Sequence, residues 1–153
     1  MVSPELLRAF RFFGGLTDDQ LRGIGMIAEE VSFPPRTVIS KEGDVATKLY
    51  VLVEGGVELL YNLDGPGQVS NAYVGAVPQR EVFNVSAMVE PYRLTASTVS
   101  EGAVRVIAVD AAGLRAMSEV DCRLGYTVMC HLAQALAERL GFCRIQLAAS
   151  KPT

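Results

Sequence analysis

Arg93, Thr95 and Ser97 are the residues of this chain best suited to hold a small ligand. An arginine fork grips an anion such as a phosphate with paired, charge-assisted hydrogen bonds. Hydroxyls two residues apart on a strand project from one face. That face either lines a ligand pocket or meets solvent, and both readings stand. Asn84 and Ser86 lie upstream. They either help to hold an anion there or serve as an N-cap and a first-turn polar residue. Tyr92 either stacks on a ligand ring or packs with its hydroxyl in water. Catalytic chemistry finds no support. There is no carboxylate pair, no nucleophile beside a base, and no glycine-rich phosphate loop or dinucleotide fingerprint. His131, the single histidine, has no cysteine or carboxylate at metal-ligand spacing and reads as a helix-surface or interface residue. Cys122, Cys130 and Cys143 are spaced by 8 and 13 residues, which matches no zinc pattern. We expect no catalytic residue, no metal site, no resident cofactor and no enzymatic activity.

Composition narrows the partners. The 153 residues are 50% hydrophobic and 20% charged, with a net charge of 14 − 17 = −3. That is enough apolar material for one domain spanning 1–153. The basic residues are scattered singly, so a nucleic-acid footprint is missing. No stretch of about 18 apolar residues offers a membrane span. Glu5, Arg8 and Arg11 interrupt any apolar leader near the start. The expected setting is cytoplasmic, with reduced thiols.

The elements that must position these residues follow from periodicity and punctuation. N-terminal helices are expected within 3–30. Ser3-Pro4-Glu5 opens the first of them. Thr17 and Gln20 form a capping box for the second. Strands fill 31–110 with turns between them. Leu49–Val53 and Val57–Tyr61 read as a hairpin about Glu54-Gly55-Gly56. Asp64-Gly65-Pro66-Gly67 is a turn, and Val69–Val77 is a weaker strand. Thr95–Val99 and Ala103–Val109 are split by Glu101-Gly102. C-terminal helices occupy 111–148: Asp110 caps a short one, and a long one runs from about Cys122 to Leu147. Its stripe of Leu124, Val128, Leu132, Leu136 and Leu140, continuing to Cys143 and Leu147, is a near-heptad seam.

This order of elements, with three local stretches, resembles the cyclic-nucleotide-binding domain family. The first stretch is Ile39-Ser40-Lys41-Glu42-Gly43-Asp44 followed by Leu49 to Val57 with its paired glycines. The second is Phe83 to Thr98, in the place of the family's phosphate-binding cassette. The third is Val104 to Asp110, running into the helix pair. The resemblance implies a mainly β fold with flanking helices. Its centre is a jelly-roll-like, double-stranded β-roll of about eight strands, with a short cassette helix and a long C-terminal helix. It implies a cassette of Phe83, Asn84, Val85, Ser86, Ala87, Arg93, Leu94, Thr95 and Ser97. Here the family's Phe-Gly-Glu reads Phe83-Asn84-Val85, and the phosphate-binding Arg position reads Leu94, with Arg93 one residue early. The function so implied is a small-ligand-sensing regulatory module with weak or altered cyclic nucleotide binding. Its ligand is a cyclic nucleotide or another small anion. The alternative is a ligand-free β-roll interaction or dimerisation domain. With no effector segment following, the chain is expected to act through a separate effector protein, or as a homodimer along the C-terminal helix.

Overall fold

The computed structural model describes residues 1–62 and 71–151. Ser3 caps α1 (Pro4–Arg8), its side chain accepting from the Leu6 N–H. A single 3-10 turn follows at Arg11–Phe13. The Thr17/Gln20 capping box opens α2 (Asp18–Met26), with both reciprocal hydrogen bonds present. Six strands follow: β1 (Ala28–Phe33), β2 (Val38–Ser40), β3 (Lys48–Asn62), β4 (Asn71–Ala76), β5 (Val82–Phe83) and β6 (Ser97–Asp110). A 3-10 helix at Val85–Met88 separates the last two. Asp110 caps α3 (Ala111–Val120), and Asp121 caps α4 (Cys122–Ser150).

All strand pairing is antiparallel, in the order β1-β6-β3-β4, with β2 added to β6 and β5 to β3. The long partners are β3 and β6, paired from Lys48↔Asp110 to Leu60↔Ser97. This corrects two sequence expectations. Glu54-Gly55-Gly56 is not a hairpin turn, because Leu49–Val53 and Val57–Tyr61 lie on one strand that shifts register twice there. Gly55, at φ +98°, supplies the left-handed residue such a bulge needs. Likewise Glu101-Gly102 bends one strand rather than dividing two, with Gly102 at φ +76°. Thr95 precedes β6. Two long bent strands thus replace four short ones among the described residues. The turn expected at Asp64–Gly67 lies outside the described residues.

The bent ladder makes two cores. Leu52, Val57, Val77, Phe83, Val104 and Val106 fill the inside of the roll. Leu49, Val51, Ile107 and Val109 face the other way, onto Leu7, Phe10, Phe13, Leu21, Ile24 and Leu114 of the helical layer. The buried run Val106–Val109 is apolar throughout because it serves both cores. Leu124, Val128 and Leu132 belong to the helical core as well, so they seat α4 on its own chain. The single seam read from sequence is therefore two stripes: Leu124, Val128 and Leu132 are buried, whereas Leu136, Leu140, Cys143 and Leu147 are exposed.

A Cβ on Gly55 would lie 2.5 Å from the Ala103 carbonyl oxygen and 3.0 Å from the Val104 Cα, whereas a Cβ on Gly43, also at positive φ, meets nothing within 4 Å. Gly55→Ala is expected to destabilise the fold by about 2–4 kcal/mol and Gly43→Ala by about 1 kcal/mol, measured by urea denaturation.

Candidate functional site

β5 carries Phe83 into the roll, where its ring stacks on Tyr50 at 5.0 Å between centroids. Phe33 closes edge-on against Tyr50 at 6.5 Å. Burial in this apolar setting, with Glu29 nearby, pushes the Tyr50 phenol up. The chain then turns at Asn84, at φ 60° and ψ 40°. Glycine tolerates that left-handed conformation best, and asparagine is among the few side chains that also adopt it. Asn84 does not cap the following 3-10 helix. Its Oδ1 instead accepts from the Ser40 hydroxyl at 3.1 Å, and Ser40 also bonds the Thr98 hydroxyl. Ser97, next along, accepts from the Glu42 N–H at 2.9 Å, while the Glu42 carboxylate accepts from the Asn62 N–H at 2.8 Å. Ser40, Asn84 and Thr98 thus form an uncharged line of hydroxyls and one amide engaged with one another, beside Ser97, which is engaged with backbone.

The remaining cassette residues turn away from this line. Ala87, Met88 and Leu94 are buried in the helical core, and Val85 packs against it. Leu94 is fixed there by its backbone: its N–H donates to Asp44 at 2.9 Å, and its carbonyl accepts from the Gly43 N–H at 2.8 Å. Arg93 forms a β-bridge with Val45 and points outward, its guanidinium donating to the Gly43 carbonyl at 3.0 Å. Arg93 therefore does not join the other candidates. On extended chain a one-residue offset reverses the face, and Leu94 takes the inward position. Thr95 is exposed. Ser86 contributes its carbonyl to the Val89 N–H. Of the nine cassette candidates, Phe83 lies in the roll interior, Asn84 joins Ser40 and Thr98, and Ser97 is held separately by the Glu42 N–H.

Three arginines that sequence reasoning missed fasten this segment to the helices. Arg115 on α3 donates to the Ala87 carbonyl and lies over the Tyr92 ring, 4.0 Å from its centroid. Tyr92 is thus a packing residue beneath a guanidinium. Arg139 on α4 donates to the Val82 carbonyl, and its burial lowers its pKa. Arg11 bridges Glu81 and Glu138, at 2.8 Å to each. Val82, Ala87 and Tyr92 are therefore tied to the C-terminal helices. Arg139 lies seven residues after Leu132 and four after Ala135, on the stripe that seats α4. That spacing was the one signal in the sequence for a half-buried arginine. His131 is half-buried, its Nε2 donating to the Gly14 carbonyl at 2.9 Å. Among the described residues no group of histidine, cysteine or carboxylate side chains is placed to hold a metal.

The cyclic nucleotide-binding domain model matches residues 30–121. A solved structure of a cyclic nucleotide-binding protein from Geobacter metallireducens GS-15 is 43% identical, covers 92% of this chain and 99% of that one, and superposes with a TM-score of 0.82. A cyclic nucleotide-binding domain from Methylobacillus flagellatus KT is 17% identical over 97% of this chain and 82% of that one, with a TM-score of 0.78. The regulatory subunit of a cAMP-independent protein kinase A from Trypanosoma brucei, a triple mutant bound to cAMP in its A site, is 18% identical over 85% and 44% of the two chains, with a TM-score of 0.69. No curated protein matches significantly.

Removing Arg115 leaves the Ala87 carbonyl unpaired and the Tyr92 ring uncovered. Arg115→Leu is expected to cost about 1–3 kcal/mol in urea denaturation and to loosen amide exchange from Val85 to Tyr92. Glu138 gives a pH test. The hydrogen bond from Arg11 holds its carboxyl below the ordinary range. A depressed folded pKa adds stability above the ordinary pKa of about 4.3, which is lost as pH falls through the folded value. Glu138→Gln should therefore flatten the dependence of Tm on pH below about 5.

Proposed function

The chain belongs to the cyclic nucleotide-binding domain family, and from that premise we propose that it is a non-enzymatic regulatory module whose grip on a cyclic phosphate is weak or lost. The observation that carries this reading is Leu94. Where the family pattern has the phosphate-binding arginine, this chain has a leucine packed into the helical core. Where the pattern has the ribose-binding glutamate, it has Val85, packed against the same core. A hydrogen bond to a charged group contributes about 1.5–3 kcal/mol. Losing two such bonds weakens binding by about 10²–10⁴-fold.

The relay behind the cassette is nevertheless present. Arg115 and Arg139 couple the cassette carbonyls to α3 and α4, so a rearrangement of Val82–Met88 would shift those helices. Differential contact with two helix positions is what a sensor requires. The output would pass through a second copy of the chain along α4 or through a separate effector protein. A second reading, a β-roll that binds no ligand and serves for interaction alone, draws support from the same packing. Val85, Met88 and Leu94 close the cassette from the helical side, and Ser40, Asn84 and Thr98 satisfy one another.

A thermal-unfolding titration tests the proposal. With 1 mM cyclic AMP or cyclic GMP, a dissociation constant at or above the millimolar range stabilises by at most about 0.4 kcal/mol, a shift of about 2 °C or less. The double change Val85→Glu, Leu94→Arg should gain saturable cyclic AMP binding. A wild-type shift of several degrees at 100 μM would overturn the reading, and this arm stands even where the arginine variant does not fold.

A further inference from the structure

Helix α3 lies between two surfaces. From one face Arg115 donates to the Ala87 carbonyl and covers the Tyr92 ring. From the opposite face, Ala116, Met117 and Val120 line an open groove of about 480 Å³. Its other wall is the start of α2, with Asp19 and Gln20, and the start of α4, with Asp121. Leu124, only 1% exposed, is its floor. Val120, at 91%, is the most exposed large apolar side chain among the described residues. A buried apolar floor beside an exposed apolar wall marks a surface for a partner. The groove can also adapt. Gly23 on α2 leaves the space of a side chain beside Met117, since a Cβ there would stand 2.9 Å from the Met117 Cε. A thioether repacks readily into such space.

Charge selects the partner. Two carboxylates and no cation are among the residues that line the groove. Asp121 accepts from the Gln20 amide at 2.9 Å and from the Leu124 N–H at 3.1 Å. These bonds, that of Gln20 foremost, hold its carboxyl below the ordinary range. Asp19 pairs with Arg22 at 2.7 Å, and Arg123 stands near Asp121, but neither arginine lines the groove. A second copy seated here by its own groove would oppose like charges across the two-fold axis. An acidic partner meets the same carboxylates and a chain of net charge −3. A small molecule needs a site that encloses most of its surface, and this groove is open along its length. A helix with apolar anchors on one face and cations on its flank satisfies both walls.

We propose that the groove between α2, α3 and the start of α4 is the docking site for a basic amphipathic helix of a separate effector protein; the proposal rests on the effector reading above. Leucine- or phenylalanine-sized anchors at three- and four-residue spacing pack on Met117, Val120 and Leu124, and lysine or arginine on the flank meets Asp19 and Asp121. Because α3 holds the cassette by its other face, occupancy of the groove and the position of the Ala87 segment are linked reciprocally.

The test uses the full chain and a fluorescent amphipathic peptide of leucine and lysine about 14 residues long, with its leucine–glutamate counterpart as control. Anisotropy reads affinity, and two-dimensional amide NMR reads the place. The lysine peptide is expected to bind at least about tenfold more tightly than the glutamate peptide, with shifts at Gln20, at 116–124 and, through α3, at Ala87. Val120→Asn and Asp19→Asn, both at exposed positions, should each weaken binding by about fivefold or more. Glu101→Gln, which removes the same charge from the roll, should change it by less than about twofold. No binding of the lysine peptide, shifts away from the groove, or an equal loss in Glu101→Gln overturns the proposal. Binding with shifts in the groove and none at Ala87 keeps the docking site and overturns the relay to the cassette.

Discussion

The antiparallel ladder between β3 and β6 is the constraint on which the other elements depend. Among the described residues, β1, β2, β4 and β5 each pair with one of these two strands and with no other. The register shifts at Leu52–Gly56 let one ladder face two ways. Its first half alternates, with Leu49, Val51, Ile107 and Val109 facing the helices and Leu52 and Val106 facing the roll interior, and beyond the shifts Val57 and Val104 continue the interior wall. A hairpin at Gly55-Gly56 would have ended the ladder there and left the roll without its second wall. Because Asp110 ends β6 and caps α3, the ladder also sets where the C-terminal helices begin.

Against that frame, the cassette is a contest between packing and charge, and packing wins. A ligand phosphate needs a cation held at the edge of the roll. Here the inward position belongs to Leu94, whose N–H and carbonyl are both committed to Gly43 and Asp44. Arg93 is left to bond the Gly43 carbonyl from the solvent side. The three arginines that contact the cassette and its neighbours do so through backbone carbonyls or carboxylates from behind, from α3, α4 and the Arg11 turn. Their charge holds the cassette to the helices.

Much of this was legible in the sequence, for reasons that are local. Ser3, Thr17/Gln20 and Asp110 cap because short polar side chains reach nearby N–H groups. The long helix was legible from its period. Asn84 was legible as a glycine substitute but not as the Ser40 partner, since the two are 44 residues apart in sequence. The bulges were misread because paired glycines permit a turn and a bulge alike. The two stripes of α4 were merged because Leu132 and Leu136 are equally apolar, and only the Phe12-Phe13 side of the fold decides which is buried. The side to which Arg93 points depends on its bridge to Val45, which no local pattern announces.

The most direct measurement of the central claim is a two-dimensional amide NMR titration of the wild-type chain with cyclic AMP up to 5 mM. The account predicts no saturable shift in the amides of Asn84, Val85, Ser86 and Ala87, and none at Arg115 or Arg139 behind them. Saturable shifts at those cassette amides with a midpoint in the micromolar range would contradict it, because a cyclic phosphate would then be held without the Leu94-position arginine.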